Sequence, residues 1–238
     1  MYQKKTLVFI HGWGVNSKIF EPLFYYLKNP SLPAGRDFNI YALDLPGFGN
    51  TPIEKAMTLK DYAEFVYKFL KEKNVKEPII IGHSFGGAVA TKFSLLYPGE
   101  ISKLILVSAS AIRQPRRKMI LLKKSADILK LFLSEKMRKL ILKLLGYDKM
   151  DYAQIENKEL KETFKRVIGE DLRPYFHLIN TPTLVIWGEK DKITPIADGK
   201  IIAKNISGAK LKIIKNAGHF AFLEKPEEFI KLIKDFAL

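Results

Sequence analysis

The chain has 238 residues, 47% of them hydrophobic, and a formal net charge of +15. That length buries one substantial core, so one domain carrying an insertion is expected rather than two independent domains. The absence of cysteine excludes disulfides, a cysteine nucleophile and thiolate-held metals. The apolar segment Leu7 to Ile10 is too short for a signal sequence, and no stretch approaches a membrane span, so a soluble cytoplasmic protein is expected.

Short apolar runs recur along the chain and read as strands: Thr6 to Ile10, Phe38 to Leu43, Ile79 to Ile81, Leu104 to Ser108, Thr183 to Trp187 and Leu211 to Ile214. Between them lie helical patterns. Leu59 to Lys73 puts Tyr62, Phe65, Val66, Phe69 and Leu70 on one face, and Phe85 to Tyr97, Ile196 to Asn205 and Pro226 to Phe236 complete the set. The alternation predicts an α/β fold, a doubly wound and mostly parallel sheet of about six strands.

One segment breaks the alternation. Arg113 to Ile179 carries apolar residues at helical spacing between lysines and no convincing strand, so residues 111–180 read as a helical insertion between core segments 1–110 and 181–238. The insertion is strongly basic, with seventeen Lys and Arg against nine Asp and Glu from Ala111 to Asn180. Lysine-solvated helix faces account for such a charge, and two functional readings compete with them. Arg113, Arg116, Arg117 and Lys118 could hold an anionic substrate group, or basic helices could rest on an anionic membrane surface. No nucleic-acid module is present, so nucleic acid is not expected as a partner, and the oligomeric state stays open.

The stretch IIIGHSFGGAVA, Ile79 to Ala90, places Ser84 where a buried strand ends and a helix of small residues begins. A side chain there stands above the sheet beside free backbone N–H groups, in reach of a ligand. Gly82 and Gly86 complete a G-x-S-x-G pattern, whose glycines let strand and helix approach around a sharp turn.

A serine nucleophile needs a base, a group that orients the base, and donors for the oxyanion. Of the four histidines, His11 and His83 flank strand ends and His177 lies in the insertion. His219, in the loop Asn216-Ala217-Gly218-His219-Phe220 after the last strand, is the candidate base. Trp187-Gly188-Glu189-Lys190-Asp191 follows the fifth strand and offers Asp191 as the acid, with Glu189 as the alternative. The loop His11-Gly12-Trp13-Gly14 after the first strand can bring a backbone N–H toward an acyl oxygen beside that of Phe85.

Four matches, HGWG at His11 to Gly14, DLPGFG at Asp44 to Gly49, GHSFGG at Gly82 to Gly87, and GEKDKITP followed by NAGHF, make the chain resemble the α/β-hydrolase superfamily over nearly its whole length. The order serine, acid, histidine is the family's order. The resemblance implies Ser84 as nucleophile, His219 as general base and acid, Asp191 as orienting carboxylate, and the N–H groups of Trp13 and Phe85 as oxyanion hole. It makes Asp44 part of a structural turn, and calls for no cofactor or metal. Only a few residues precede the first strand, so the antiparallel hairpin that often opens these sheets is not expected. The insertion falls where family members carry a cap, but matches no signature of a substrate class. The expected activity is hydrolysis of carboxylic esters through an acyl-enzyme, with Trp13, Phe85 and Phe220 giving an apolar pocket. A lactonase, a carbon-carbon bond hydrolase, or a small-molecule receptor with little turnover fits the same residues.

Overall fold

A computed structural model of the protein describes residues 4–28, 38–113 and 155–238. Most of the expected insertion, residues 114–154, lies outside them. Six strands form one sheet in the order β2-β1-β3-β4-β5-β6. They are β1 (Lys5–Ile10), β2 (Phe38–Leu43), β3 (Ile79–His83), β4 (Lys103–Val107), β5 (Thr183–Gly188) and β6 (Lys210–Ile214). Every pairing is parallel. The order reverses beside β1, and the loops at the carboxyl ends of the strands gather at one rim of the sheet, where ligands bind in open α/β folds.

Strand residues alternate between two cores, as the period of two demands. Val8, Ile10, Ile80, Leu104, Leu106, Val185 and Trp187 face one layer. Leu7, Phe9, Ile79, Ile81, Ile105, Val107, Leu184 and Ile186 face the other. Both sides of β3 are buried, which explains its uninterrupted isoleucines. It also extends past Ile81 through Gly82 and His83, so the strand delivers Ser84 directly into the following helix.

On the first layer lie α2 (Leu59–Glu72) and α3 (Phe85–Leu96). Thr58 and Asp61 close a capping box that starts α2, and Leu59, Tyr62, Ala63, Val66 and Leu70 form its buried stripe. Helix α3 sits at the centre of the fold and is buried at nearly every position, so it can carry no polar stripe. The second layer holds α1 (Glu21–Lys28) and α7 (Pro226–Ala237). Helix α1 is too short and mixed in pattern for its sequence to announce it. Lys5 and Lys103 donate their ammonium groups to carbonyls in the last turn of α7, satisfying acceptors that a helix end leaves open.

The described parts of the expected insertion rejoin the core here. Helix α4 (Lys158–Val167) returns along the loop before α2, where Thr163 Oγ1 accepts the Met57 N–H at 2.8 Å. A 3-10 turn at Arg173–Leu178 follows, and the Leu172 N–H meets the Ala111 carbonyl at 3.1 Å, joining the two stems. The remaining helices are α5 (Ile196–Asn205) and the single turn α6 (Ala221–Glu224). Among the described residues, no helix is long and apolar enough to cross a membrane.

Candidate active site

The turn between β3 and α3 holds Ser84 at φ 53° and ψ −116°, a conformation that costs a non-glycine residue about 1–3 kcal/mol. The surroundings enforce it. A Cβ on Gly82 would stand 2.4 Å from the Gly86 carbonyl oxygen, and one on Gly86 would stand 2.2 Å from the Ile10 carbonyl oxygen. Strand, turn and helix therefore approach closer than any side chain allows. The Ser84 carbonyl accepts the N–H groups of Gly87 and Ser110, each at 2.9 Å, and its own N–H meets Val107 O at 2.9 Å.

Beside it runs the loop after β1. The buried His11 donates from Nδ1 to Gly12 O at 2.7 Å and accepts the Leu45 N–H on Nε2 at 3.0 Å. Both bonds demand a neutral ring, and burial accordingly lowers its pKa. Because the Gly12-Trp13 peptide is planar and trans, pinning the Gly12 carbonyl turns the Trp13 N–H to the opposite side. Gly12 itself lies against Ser84: a Cβ there would be 3.2 Å from Ser84 Cβ. The Trp13 ring packs edge-on against Phe48 and Phe85 and tilts over Phe164 of α4, with centroids 5.0 to 5.3 Å apart. Phe85 is only 6% exposed and also meets Tyr62, so its ring belongs largely to the core.

The loops after β5 and β6 bring Asp191 and His219 together. His219 Nδ1 lies 2.9 Å from Asp191 Oδ2, and the Asp191 side chain has no exposed surface. A carboxylate can only accept, so Nδ1 carries the proton and Nε2 is left as an acceptor. Asp191 also accepts the N–H groups of Ile193 and Thr194 and the Thr194 hydroxyl. Burial alone would raise its pKa; the hydrogen bond and charge of His219 and the Thr194 N–H outweigh it, holding the carboxyl below the usual carboxylate range. The buried Ser108 hydroxyl also favours the ionised form, without a hydrogen bond of regular geometry.

Glu189, the alternative acid, points elsewhere. Its carboxylate takes the Asn216 N–H at 2.9 Å, and Glu224 takes the Gly218 N–H at 2.9 Å, so two exposed carboxylates clamp the histidine loop. Trp187 ties the acid loop down through its indole N–H to Thr194 O at 3.0 Å. His83 lies between Gly12 and the histidine loop, with Nε2 donating to His219 O at 3.0 Å and its ring 4.8 Å from that of His219. Burial drives its pKa down to about 3, so it stays neutral. Phe220 packs tilted against His83 and edge-on against His219, on the base side of Ser84 rather than the Trp13 side. His177 is exposed in its 3-10 turn, and Asp44 accepts Ser17 N and Asn50 N as the anchor of its own turn.

Ser84, Asp191, His219, Trp13 and Phe85, five residues spread over the sequence, thus converge at the carboxyl rim of β1, β3, β5 and β6. No hydrogen bond yet joins Ser84 to His219; such bonds often tighten only with substrate in place.

A sequence model of the alpha/beta hydrolase family matches residues 7–232. The chain belongs to that family. This α/β hydrolase is 32% identical over 251 residues to the pimeloyl-[acyl-carrier protein] methyl ester esterase of Wigglesworthia glossinidia brevipalpis, covering 97% of this chain and 93% of the relative. It is 24% identical to the mouse monoacylglycerol lipase ABHD6, covering 98% of this chain and 75% of that one. Among solved structures, a hydrolase from Pseudomonas aeruginosa superposes with a TM-score of 0.75 at 25% identity, covering 100% of this chain and 91% of that chain.

Sequence reasoning passed over two polar neighbours in the candidate site. Thr194 braces Asp191 from three positions further on, in a loop whose lone signal was its place after β5. Ser110 Oγ lies 3.3 Å from Ser84 Oγ. Its signal was available: β4 adjoins β3, and small polar residues, Ser108-Ala109-Ser110, follow its carboxyl end.

Proposed function

We propose that the protein is a serine hydrolase of carboxylic esters. Ser84 attacks the acyl carbon while His219 Nε2 takes its proton; His219 returns that proton to the departing alkoxide, then activates the water that releases the acid. Asp191 fixes the tautomer of His219 and stabilises its protonated form. The N–H groups of Trp13 and Phe85 receive the oxyanion, which the His11 bond to Gly12 O supports by orienting the shared peptide. Trp13, Phe48 and Phe164 favour small to medium apolar acyl esters.

The observation that carries the reading is the Asp191-His219 pair at 2.9 Å, its carboxylate fully enclosed, beside a serine held at positive φ. Structural carboxylate-histidine pairs are common, but one facing a strained serine at a strand-to-helix turn has little other use. The ester-hydrolase names of the relatives point the same way. The test is a chain-length panel of chromogenic acyl esters with wild type and Ser84→Ala. Saturable turnover, best on apolar acyl chains and reduced on the order of a millionfold in the variant, is expected. Turnover that survives in Ser84→Ala, or a preference for polar short acids, contradicts the reading.

A further inference from the structure

We propose that Ser110 is a further catalytic residue, whose hydroxyl donates to Ser84 Oγ and leaves the Ser84 proton for His219. The inference rests on Ser84 being the nucleophile. Among the described residues, the one hydrogen-bond partner of Ser84 Oγ is Ser110 Oγ, at 3.3 Å.

The fold goes to some trouble to put that hydroxyl there. Beyond β4 the chain turns through Ser108 at φ 46°, a left-handed conformation without glycine. Three contacts then fix the turn. Ser108 N–H binds Ile186 O at 3.0 Å, and Ser110 N–H binds Ser84 O at 2.9 Å. Ala109 fills the space where Gly87 of α3 has no side chain; a Cβ on Gly87 would lie 2.4 Å from that of Ala109. Ser110 is exposed beside Ser84, so its hydroxyl is not taken up in the core. It stands on the β4 flank of Ser84, opposite the Trp13 loop, and so supplies a donor where the oxyanion N–H groups cannot reach.

A separation of 3.3 Å is long for two hydroxyls and weak in the resting enzyme. It strengthens when charge grows on Ser84 Oγ, since donors to an anionic oxygen shorten and gain energy. That moment comes twice: when His219 removes the Ser84 proton during attack, and when Ser84 Oγ leaves the second tetrahedral adduct. In the first, the proton passes from Ser84 to His219 and a bond forms to the acyl carbon as the carbonyl π pair moves onto the oxyanion; in the second, the carbonyl re-forms, the bond to Ser84 breaks, and His219 gives Ser84 Oγ the proton it took from water. Ser110 keeps its own proton throughout. An interaction made mainly in the transition state raises kcat and leaves KM nearly alone.

The test compares wild type, Ser110→Ala and Ser110→Thr by steady-state ester hydrolysis and by the rate at which a fluorophosphonate labels the enzyme, with peptide mapping of the adduct. Expected in Ser110→Ala is a kcat and a labelling rate that fall together by about tenfold, a KM within twofold and an unchanged melting temperature, with Ser110→Thr restoring most of the rate. Three outcomes overturn the proposal: rates in Ser110→Ala within twofold of wild type, an equal loss in Ala and Thr, or a change confined to KM. If the label maps to Ser84 and Ser110→Ala is unaffected, the Ser110 inference alone fails. Labelling that persists in Ser84→Ala removes the nucleophile assignment and this inference with it.

Discussion

The two halves of the candidate site are held by different physics. Around Ser84 and Trp13, position comes from shape: glycines with no room for a Cβ, a strained turn and a cluster of aromatic rings. Around Asp191 and His219 it comes from polar bonds: four hydrogen bonds on one carboxylate and two further carboxylates on the histidine loop. The contrast follows the chemistry of each half. A nucleophile and an oxyanion pocket need fixed backbone, which sterics supply. An acid-base pair needs fixed protonation states, which hydrogen bonds supply.

Changes aimed at one half or the other break this division in graded steps. Asp191→Asn should lower kcat about ten-thousandfold, because an amide reverses the donor that the His219 tautomer needs. Glu189→Gln, on the same loop, should cost less than tenfold; equal losses in the two, by steady-state kinetics, would erase the distinction between acid and clamp. On the steric side, Gly86→Ala drives a methyl into the Ile10 and His11 carbonyl oxygens, and should destabilise the fold by more than about 3 kcal/mol in urea unfolding. A loss under about 1 kcal/mol would show that the elbow has slack.

Thr194→Val is a subtler probe of the polar half. It removes the hydroxyl from Asp191 Oδ2, so the carboxyl pKa rises toward its ordinary value, and the acid-side loss of activity should begin at higher pH. A kcat about tenfold lower with that displaced limb is expected; an unmoved pH profile would mean that the hydroxyl does not bear on the acid.

The remaining effect concerns stability. His83 and His11 are neutral in the fold with lowered pKa values, so the unfolded chain binds protons that the native state refuses. Their contribution is complete above pH 6.5 and declines as pH falls toward about 3, with His83 alone giving a slope approaching 1.4 kcal/mol per pH unit at its steepest. The lowered Asp44 and Asp191 carboxyls act in a lower window: they contribute above about pH 4 and lose that contribution as pH falls further. Urea midpoints between pH 7 and 5 should fall in wild type and fall less steeply in His83→Gln, which cannot titrate. Parallel slopes would place the sensitivity elsewhere.

The sequence made the shape-built half legible because steric demands leave residue signatures. Gly82, Ser84 and Gly86 name their turn, and the isoleucines of β3 name its burial. The polar half was legible only to the level of loops. Nothing in the spacing separated Asp191 from Glu189, since both follow β5 and which carboxylate turns inward depends on the Asn216 and Ile193 N–H groups. Thr194 was invisible for a related reason, since a hydroxyl is ordinary in any loop; Ser110 left a faint signal in its place after β4, and the pairing of β4 with β3 is what brings it to the site. Helix α1 was missed because eight residues give too little periodicity to read.

The central assignment, Ser84 as the covalent nucleophile, is open to one direct measurement. Wild-type enzyme mixed with a p-nitrophenyl ester, quenched in acid on the millisecond to second scale and digested, should yield an acyl group on the peptide that contains Ser84. The adduct should be absent from Ser84→Ala and should accumulate with the burst of nitrophenol. An acyl group on any other residue, or hydrolysis that proceeds with no acyl-enzyme in either protein, would contradict it.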